Sequence, residues 1–206
     1  GVLGSAVGMD KIIMKAIFSC ADLPQVPFIA LNKIEINEER TLNSRIKIIE
    51  EKIGYPCFIK PANLGSSLGI TKASNKNQLI EGINFASGFD QRIVIEKGIE
   101  ARELECAILG KNKLETSCVG EIKYNADWYD YKSKYISKSS HSIIPAEIPK
   151  DITQKVQELS IKACKALNVY GIARCDFFYD DKKNKLWINE INTLPGFTQQ
   201  SMYPML

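Results

Sequence analysis

The sequence predicts an α+β fold, and three observations carry that prediction. Runs rich in β-branched and aromatic residues come in consecutive pairs joined by short polar or glycine turns. Apolar residues at helical spacing lie between those pairs. The last strand pair places charged and amide side chains where a sheet should be apolar.

Taken in order, Asp10 caps a helix running to about Cys20, with Ile12, Ile13, Ala16 and Ile17 on one side and Leu23-Pro24 ending it. Lys11 falls in its first turn, a mildly unfavourable place for a cation, so it is either solvated or aimed at an anion. A second helix spans roughly Thr41 to Ile53 and stops at Gly54. Tyr55 to Lys60 and Ile70 to Ala73 read as strands flanking the glycine and serine loop 61–69. That loop lacks the Gly-Lys-Ser/Thr of a Walker A motif. Its backbone N–H groups and two hydroxyls can nevertheless fold over phosphates, although alone it also reads as a plain turn. Lys60 occupies the last strand position before it.

Asn75 to Ala86 reads as a helix and Arg92 to Glu96 as a strand with a polar end, where a boundary divides 1–96 from 97–206. Glu103 to Leu109 and Leu114 to Ile122 pair through the turn at Gly110 to Lys113. The tyrosine-rich stretch 123–145 has no clear period, and a structureless loop of that length is usually functional or mobile. Asp151 to Leu167 is helical.

Ile172 to Tyr179 and Leu186 to Asn192 form the final strand pair. Alternation puts Arg174 and Asp176 on one face of the first strand, and Glu190 and Asn192 on one face of the second. An even register brings all four together. Two carboxylates side by side repel unless a cation sits between them, and an all-oxygen set of Asp, Glu and Asn suits a hard ion such as Mg²⁺. Pro195-Gly196 then forces a loop whose backbone N–H can approach a ligand. In isolation the same pattern also fits a solvated surface hairpin.

Composition excludes several classes. At 206 residues, 45% hydrophobic and 25% charged, the chain can bury a core as one domain or two small ones. Net charge is +3 and the lysines are dispersed rather than gathered into a basic stripe, which argues against a nucleic-acid partner. The six cysteines show no C-x-x-C spacing, and His141 is the single histidine, so they read as reduced core cysteines of a cytoplasmic protein rather than zinc ligands. No run reaches the length of a membrane span and no signal-peptide pattern opens the chain. A start without Met and a stop at Leu206 read as a fragment.

Lys60-Pro61 with a Gly-Ser-Ser-x-Gly loop, Glu96-Lys97 at a strand end, Tyr-Asp-Tyr-x-x-Lys-Tyr within 123–145, Arg-x-Asp at 174–176 and Glu-x-Asn-Thr-Leu-Pro-Gly at 190–196 occur in a fixed order. That order closely resembles the D-alanine:D-alanine ligase family of the ATP-grasp superfamily, over essentially the whole chain. The resemblance implies two α+β subdomains with the nucleotide held between their sheets, without the family's N-terminal domain of about a hundred residues. It implies that Lys11 and Lys60 meet ATP phosphates beneath a lid of Gly65, Ser66 and Ser67. Glu96, Lys97 and Ile99 would hold adenine, and Glu103 the ribose hydroxyls. Lys134 would approach the γ-phosphate, with Tyr135 closing the substrate site together with Ser66. Asp176, Glu190 and Asn192 would bind two ions of Mg²⁺ or Mn²⁺, Arg174 and the Gly196 N–H would serve as oxyanion donors, and Ser201 with Met202 would hold the second carboxylate. Gly98 departs from relatives that carry a stacking aromatic there.

The activity implied joins two D-alanines through an acyl phosphate for peptidoglycan synthesis, in a cytoplasmic enzyme of a family in which homodimers are common. D-serine or D-lactate as the second substrate, another ATP-grasp ligase, and an ATP-binding fragment inactive without its N-terminal domain are the alternatives. Tyr135 favours the dipeptide over the depsipeptide, because depsipeptide-forming relatives tend to carry histidine there.

Overall fold

In a computed structural model of the chain, residues 1–124 and 140–206 are described. Lys134 and Tyr135 therefore lie outside the described residues, as does most of the loop expected at 123–145. The chain divides into two compact units, one of residues 9–12 and 26–99, the other of 1–8, 13–25 and 100–206. One division falls at Ile99/Glu100. Segments 1–8 and 13–25, which the sequence reading grouped with the first half, pack with the second.

The smaller unit is built on a four-stranded antiparallel sheet of β1 (Phe28–Asn32), β2 (Cys57–Pro61), β3 (Thr71–Ala73) and β4 (Arg92–Lys97), in the order β1-β4-β2-β3. A short α3 (Lys33–Asn37) follows β1, started by a capping box in which Asn32 and Glu35 satisfy each other's backbone donors. The helices α4 (Glu39–Lys52) and α5 (Lys76–Ser87) bury Ile46, Ile49, Leu79 and Ile83 in one cluster with Cys57, Ile59, Ile93 and Ile95. Strand alternation then turns Phe58, Lys60, Val94 and Glu96 to the opposite face.

The larger unit carries a five-stranded antiparallel sheet of β5 (Arg102–Gly110), β6 (Leu114–Tyr124), β7 (Ser140–Ile143), β8 (Gly171–Asp180) and β9 (Lys185–Asn192), in the order β7-β6-β5-β8-β9. The helix α6 (Lys150–Ala166) covers one face, where Val156, Ala163 and Cys164 meet Leu104, Cys106, Cys175, Phe177 and Ile188. β7 lies within the stretch 123–145 whose sequence predicts a loop.

At the N-terminus α1 (Val2–Met9) and α2 (Lys11–Cys20) follow each other, with Asp10 Oδ1 accepting from the Ile12 N–H at 3.0 Å. A short α7 (Met202–Met205) ends the described chain. Cys20 and Cys118 are exposed, which corrects the reading of all six cysteines as core residues. No helix among the described residues is long and apolar enough to cross a membrane.

Candidate active site

The polar face of the five-stranded sheet owes its composition to one irregularity. Leu186, Ile188 and Ile191 are all core residues, which breaks strict alternation along β9. The ladder pairs Phe177 with Ile188 and Asp176 with Glu190, so Asn189 is an extra residue. This bulge shifts the phase by one and carries Glu190 and Asn192 off the face that Leu186 and Ile188 occupy. Register then sets Arg174 opposite Asn192, Asp176 opposite Glu190, and Glu105 of β5 opposite Asp176 from the other side. Three carboxylates thus form a row across three neighbouring strands.

Arg174 binds that row. Its Nε donates to Asp176 Oδ1 at 2.7 Å and its Nη2 to Oδ2 at 2.8 Å, while Nε also lies 2.9 Å from Glu105 Oε2. Asn192 Nδ2 donates to Asp176 Oδ2 at 2.9 Å. Burial and the neighbouring Glu190 and Glu103 charges push the Asp176 carboxyl up to about 6, against the downward pull of Arg174. Burial and the Asp176 charge push Glu105 to about 9. The guanidinium is held well above its ordinary value by Asp176 and Glu105, despite desolvation.

The row therefore sets three acid groups against one guanidinium, and burial first, with the neighbouring acids second, raises the carboxyls of Asp176 and Glu105. The chemistry of this donor set suits a hard divalent cation: Asp176 and Glu190 would supply carboxylate oxygens, and the Asn192 amide would supply its carbonyl oxygen once turned over. Among the described residues no cluster of three His, Cys, Asp or Glu side chains converges on one point. The fit thus rests on two carboxylates and an amide. Glu105 escaped the sequence reading. Its signal was the alternation Glu103-Leu104-Glu105-Cys106, which places both acids on the face opposite the buried pair.

Beyond β9 the chain turns back on itself. Ser201 Oγ accepts from the Thr198 N–H at 3.1 Å, and a Cβ on Gly196 would stand 2.8 Å from that hydroxyl. Gly196 and Ser201 are thereby brought together, and Ser201 occupies the N-cap position of α7 without capping it through its side chain. Met202 is buried, and Glu103 is half-buried on β5.

In the smaller unit Lys60 Nζ donates to Glu96 Oε2 at 2.7 Å, both side chains being buried. Lys11 reaches the base of the loop, its Nζ 2.5 Å from the Leu64 carbonyl and its backbone N–H 2.9 Å from the Ala62 carbonyl. Ser66 and Ser67 both adopt left-handed backbone angles, φ 53° and 60°. Two successive non-glycine residues there are uncommon, and such strain gathers at ligand clamps. Gly65 has open space around it. Lys97 is exposed and Ile99 half-buried, on either side of Gly98. A Cβ on Gly98 would lie 2.8 Å from the Pro56 carbonyl oxygen, so close backbone approach explains the glycine.

The model of the family described as D-ala D-ala ligase C-terminus matches residues 17–206. A D-alanine--D-alanine ligase of Prochlorococcus marinus is 60% identical over all 206 residues, which cover 59% of that relative. One from Synechococcus sp. is 54% identical, again over the whole chain and 58% of the relative. Among solved structures, the VanG D-Ala:D-Ser ligase of Enterococcus faecalis superposes with a TM-score of 0.85 at 35% identity, over 98% of this chain and 57% of its own. The D-alanyl-alanine synthetase A of Vibrio cholerae gives 0.86 at 27% identity, over 99% and 61%. The chain spans just under 60% of the length of the curated relatives it matches.

Proposed function

Because the chain belongs to the D-ala D-ala ligase C-terminus family, we propose that it supplies the ATP-grasp part of an enzyme that joins two D-alanines into D-alanyl-D-alanine at the expense of ATP. The observation that carries this reading is the row of Glu105, Asp176 and Glu190, an acid face that demands a cation beside an arginine.

Lys60 and Lys11 would neutralise phosphate oxygens, with the N–H groups of the loop at Gly65, Ser66 and Ser67 closing over them. Glu96, Lys97 and Ile99 would meet adenine, and Glu103 the ribose hydroxyls. A carboxylate is a poor electrophile because its oxygen leaves badly at neutral pH. Transfer of the γ-phosphoryl group to the first D-alanine makes that oxygen a phosphate, which the second D-alanine's amine displaces. Asp176, Glu190 and Asn192 would hold the divalent cation, Mg²⁺ or Mn²⁺ and two ions in number, which supplies charge neutralisation for the phosphates. Arg174 and the Gly196 N–H would donate to the oxyanion that forms when the amine attacks. Ser201 and Met202 would receive the second substrate's carboxylate, Lys134 would reach the γ-phosphate, and Tyr135 would close the site with Ser66.

Phosphate release by the whole protein, with ATP and Mg²⁺, tests this reading. It should require D-alanine and yield D-alanyl-D-alanine in equal amount. Phosphate release indifferent to D-alanine would contradict it. The likeness to a D-Ala:D-Ser ligase favours D-serine as the second candidate substrate, and a competition between the two amino acids separates them.

A further inference from the structure

Asp90 has no part in the roles just assigned, yet its half-buried carboxylate grips the chain where the glycine and serine loop leaves β2. Oδ2 accepts from both the Asn63 backbone N–H and Asn63 Nδ2, each at 2.9 Å, and Oδ1 accepts from the Arg92 N–H at 3.0 Å. Phe89, one residue earlier, meets the loop's other end: a Cβ on Gly69 would lie 3.2 Å from Phe89 Cδ2 and 2.7 Å from Pro61 Cγ. Phe85 backs that ring edge-on, with centroids 5.1 Å apart. Two consecutive residues between α5 and β4 therefore hold both feet of the loop.

The contacts around the first foot lie within one compact unit. The Ala62 N–H donates to the Arg92 carbonyl at 3.0 Å, the Ala62 carbonyl accepts from the Lys11 N–H, and Asp10 pairs with the Arg92 guanidinium. Farther out the backbone closes on itself in turns, the Leu68 N–H donating to the Gly65 carbonyl at 3.1 Å and the Ile70 N–H to the Ser67 carbonyl at 3.3 Å. The left-handed pair Ser66-Ser67 sits within those turns, and such a conformation persists only where its surroundings fix it. Resting on the reading of 61–69 as the loop that meets ATP phosphates, we infer that Asp90 is the positioning residue of that loop. It pins Asn63, so the N–H groups at Gly65, Ser66 and Ser67 are ordered before phosphate arrives rather than at the cost of its binding. The role requires an acceptor at both oxygens, since an N–H faces each.

The test compares ATP with adenosine, each binding to the whole protein in Mg²⁺ and measured by calorimetry, because only ATP carries the phosphates the loop would hold. Asp90→Ala should weaken ATP binding about tenfold and adenosine binding less than about twofold. Asp90→Asn keeps one acceptor oxygen for Asn63 but turns an amide N–H toward the Arg92 N–H, so it should weaken ATP about threefold, and it serves if the alanine variant does not fold. Gly65→Pro removes one of the loop's own N–H groups and should also weaken ATP selectively. An equal loss of ATP and adenosine affinity in the Asp90 variants would overturn the proposal, since general damage to the unit moves both. So would unchanged ATP affinity in both Asp90 variants while Gly65→Pro weakens it. If Gly65→Pro also leaves ATP affinity unchanged, the phosphate reading of the loop falls, and the proposal with it.

Discussion

The two sheets solve the problem of charge on a half-buried face in opposite ways. On the four-stranded sheet Lys60 and Glu96 are diagonal neighbours joined at 2.7 Å, one cation to one anion. On the five-stranded sheet three carboxylates face one guanidinium, and two of them are pushed toward the protonated state. In the Lys60–Glu96 pair each charge has an opposite charge beside it. An unbalanced row holds its stability in reserve for something positive, which is what the proposed metal role of that face requires and the four-stranded face does not.

Asp176→Asn breaks the contrast most severely. It should remove several kcal/mol of transition-state stabilisation, roughly a thousandfold in kcat, and abolish the Mg²⁺ dependence of nucleotide affinity. On the balanced side, Lys60→Ala withdraws the ammonium from a buried carboxylate, and removing one partner of a buried pair costs about 3–5 kcal/mol. Urea unfolding of wild type and variant should show that loss, and a change below about 1 kcal/mol would mean the pair is solvated.

Titration sharpens the comparison. Carboxyls whose folded pKa lies above the unfolded value contribute stability below the unfolded value and lose it as pH climbs through the folded one. For Asp176 the window runs from 3.8 to about 6, and for Glu105 from 4.5 to about 9. The metal-free protein should therefore melt at progressively lower temperature from pH 5 to pH 9, and Mg²⁺ should restore much of the loss at the alkaline end. A flat profile would place ordinary, ionised carboxylates on this face. The smallest effect expected is that of Gly98→Ala, whose Cβ would crowd the Pro56 carbonyl at 2.8 Å. Overpacking of that kind costs about 1–3 kcal/mol, visible as a lower urea midpoint.

The longer helices and most strand pairs were legible because their apolar spacing is regular: α4, α5, α6 and the β5–β6 and β8–β9 hairpins lie within about two residues of the sequence reading. Others were not, α1 and β1 among them. Val2–Met9 contains two glycines and little helix propensity, but Gly4 lies where a Cβ would meet the Asn168 carbonyl at 2.9 Å, so tertiary contact rather than local preference holds this helix. Phe28–Asn32 is a five-residue run whose partner among the described residues is a strand some sixty residues later in the chain. In the site, alternation alone linked Arg174 with Asp176 and Glu190 with Asn192. It did not reveal why Ile188 and Glu190 part ways, since a bulge at Asn189 is a property of the ladder, visible in the sequence only as a break in apolar phase.

The most direct measurement of the unbalanced face is nucleotide affinity of the whole protein by calorimetry, once with Mg²⁺ and once with a chelator. ATP should bind with Mg²⁺ and fail to bind measurably without it, because Asp176 and Glu190 repel phosphate as they repel each other. Equal affinity in the two conditions would contradict the assignment of Asp176, Glu190 and Asn192 to a metal.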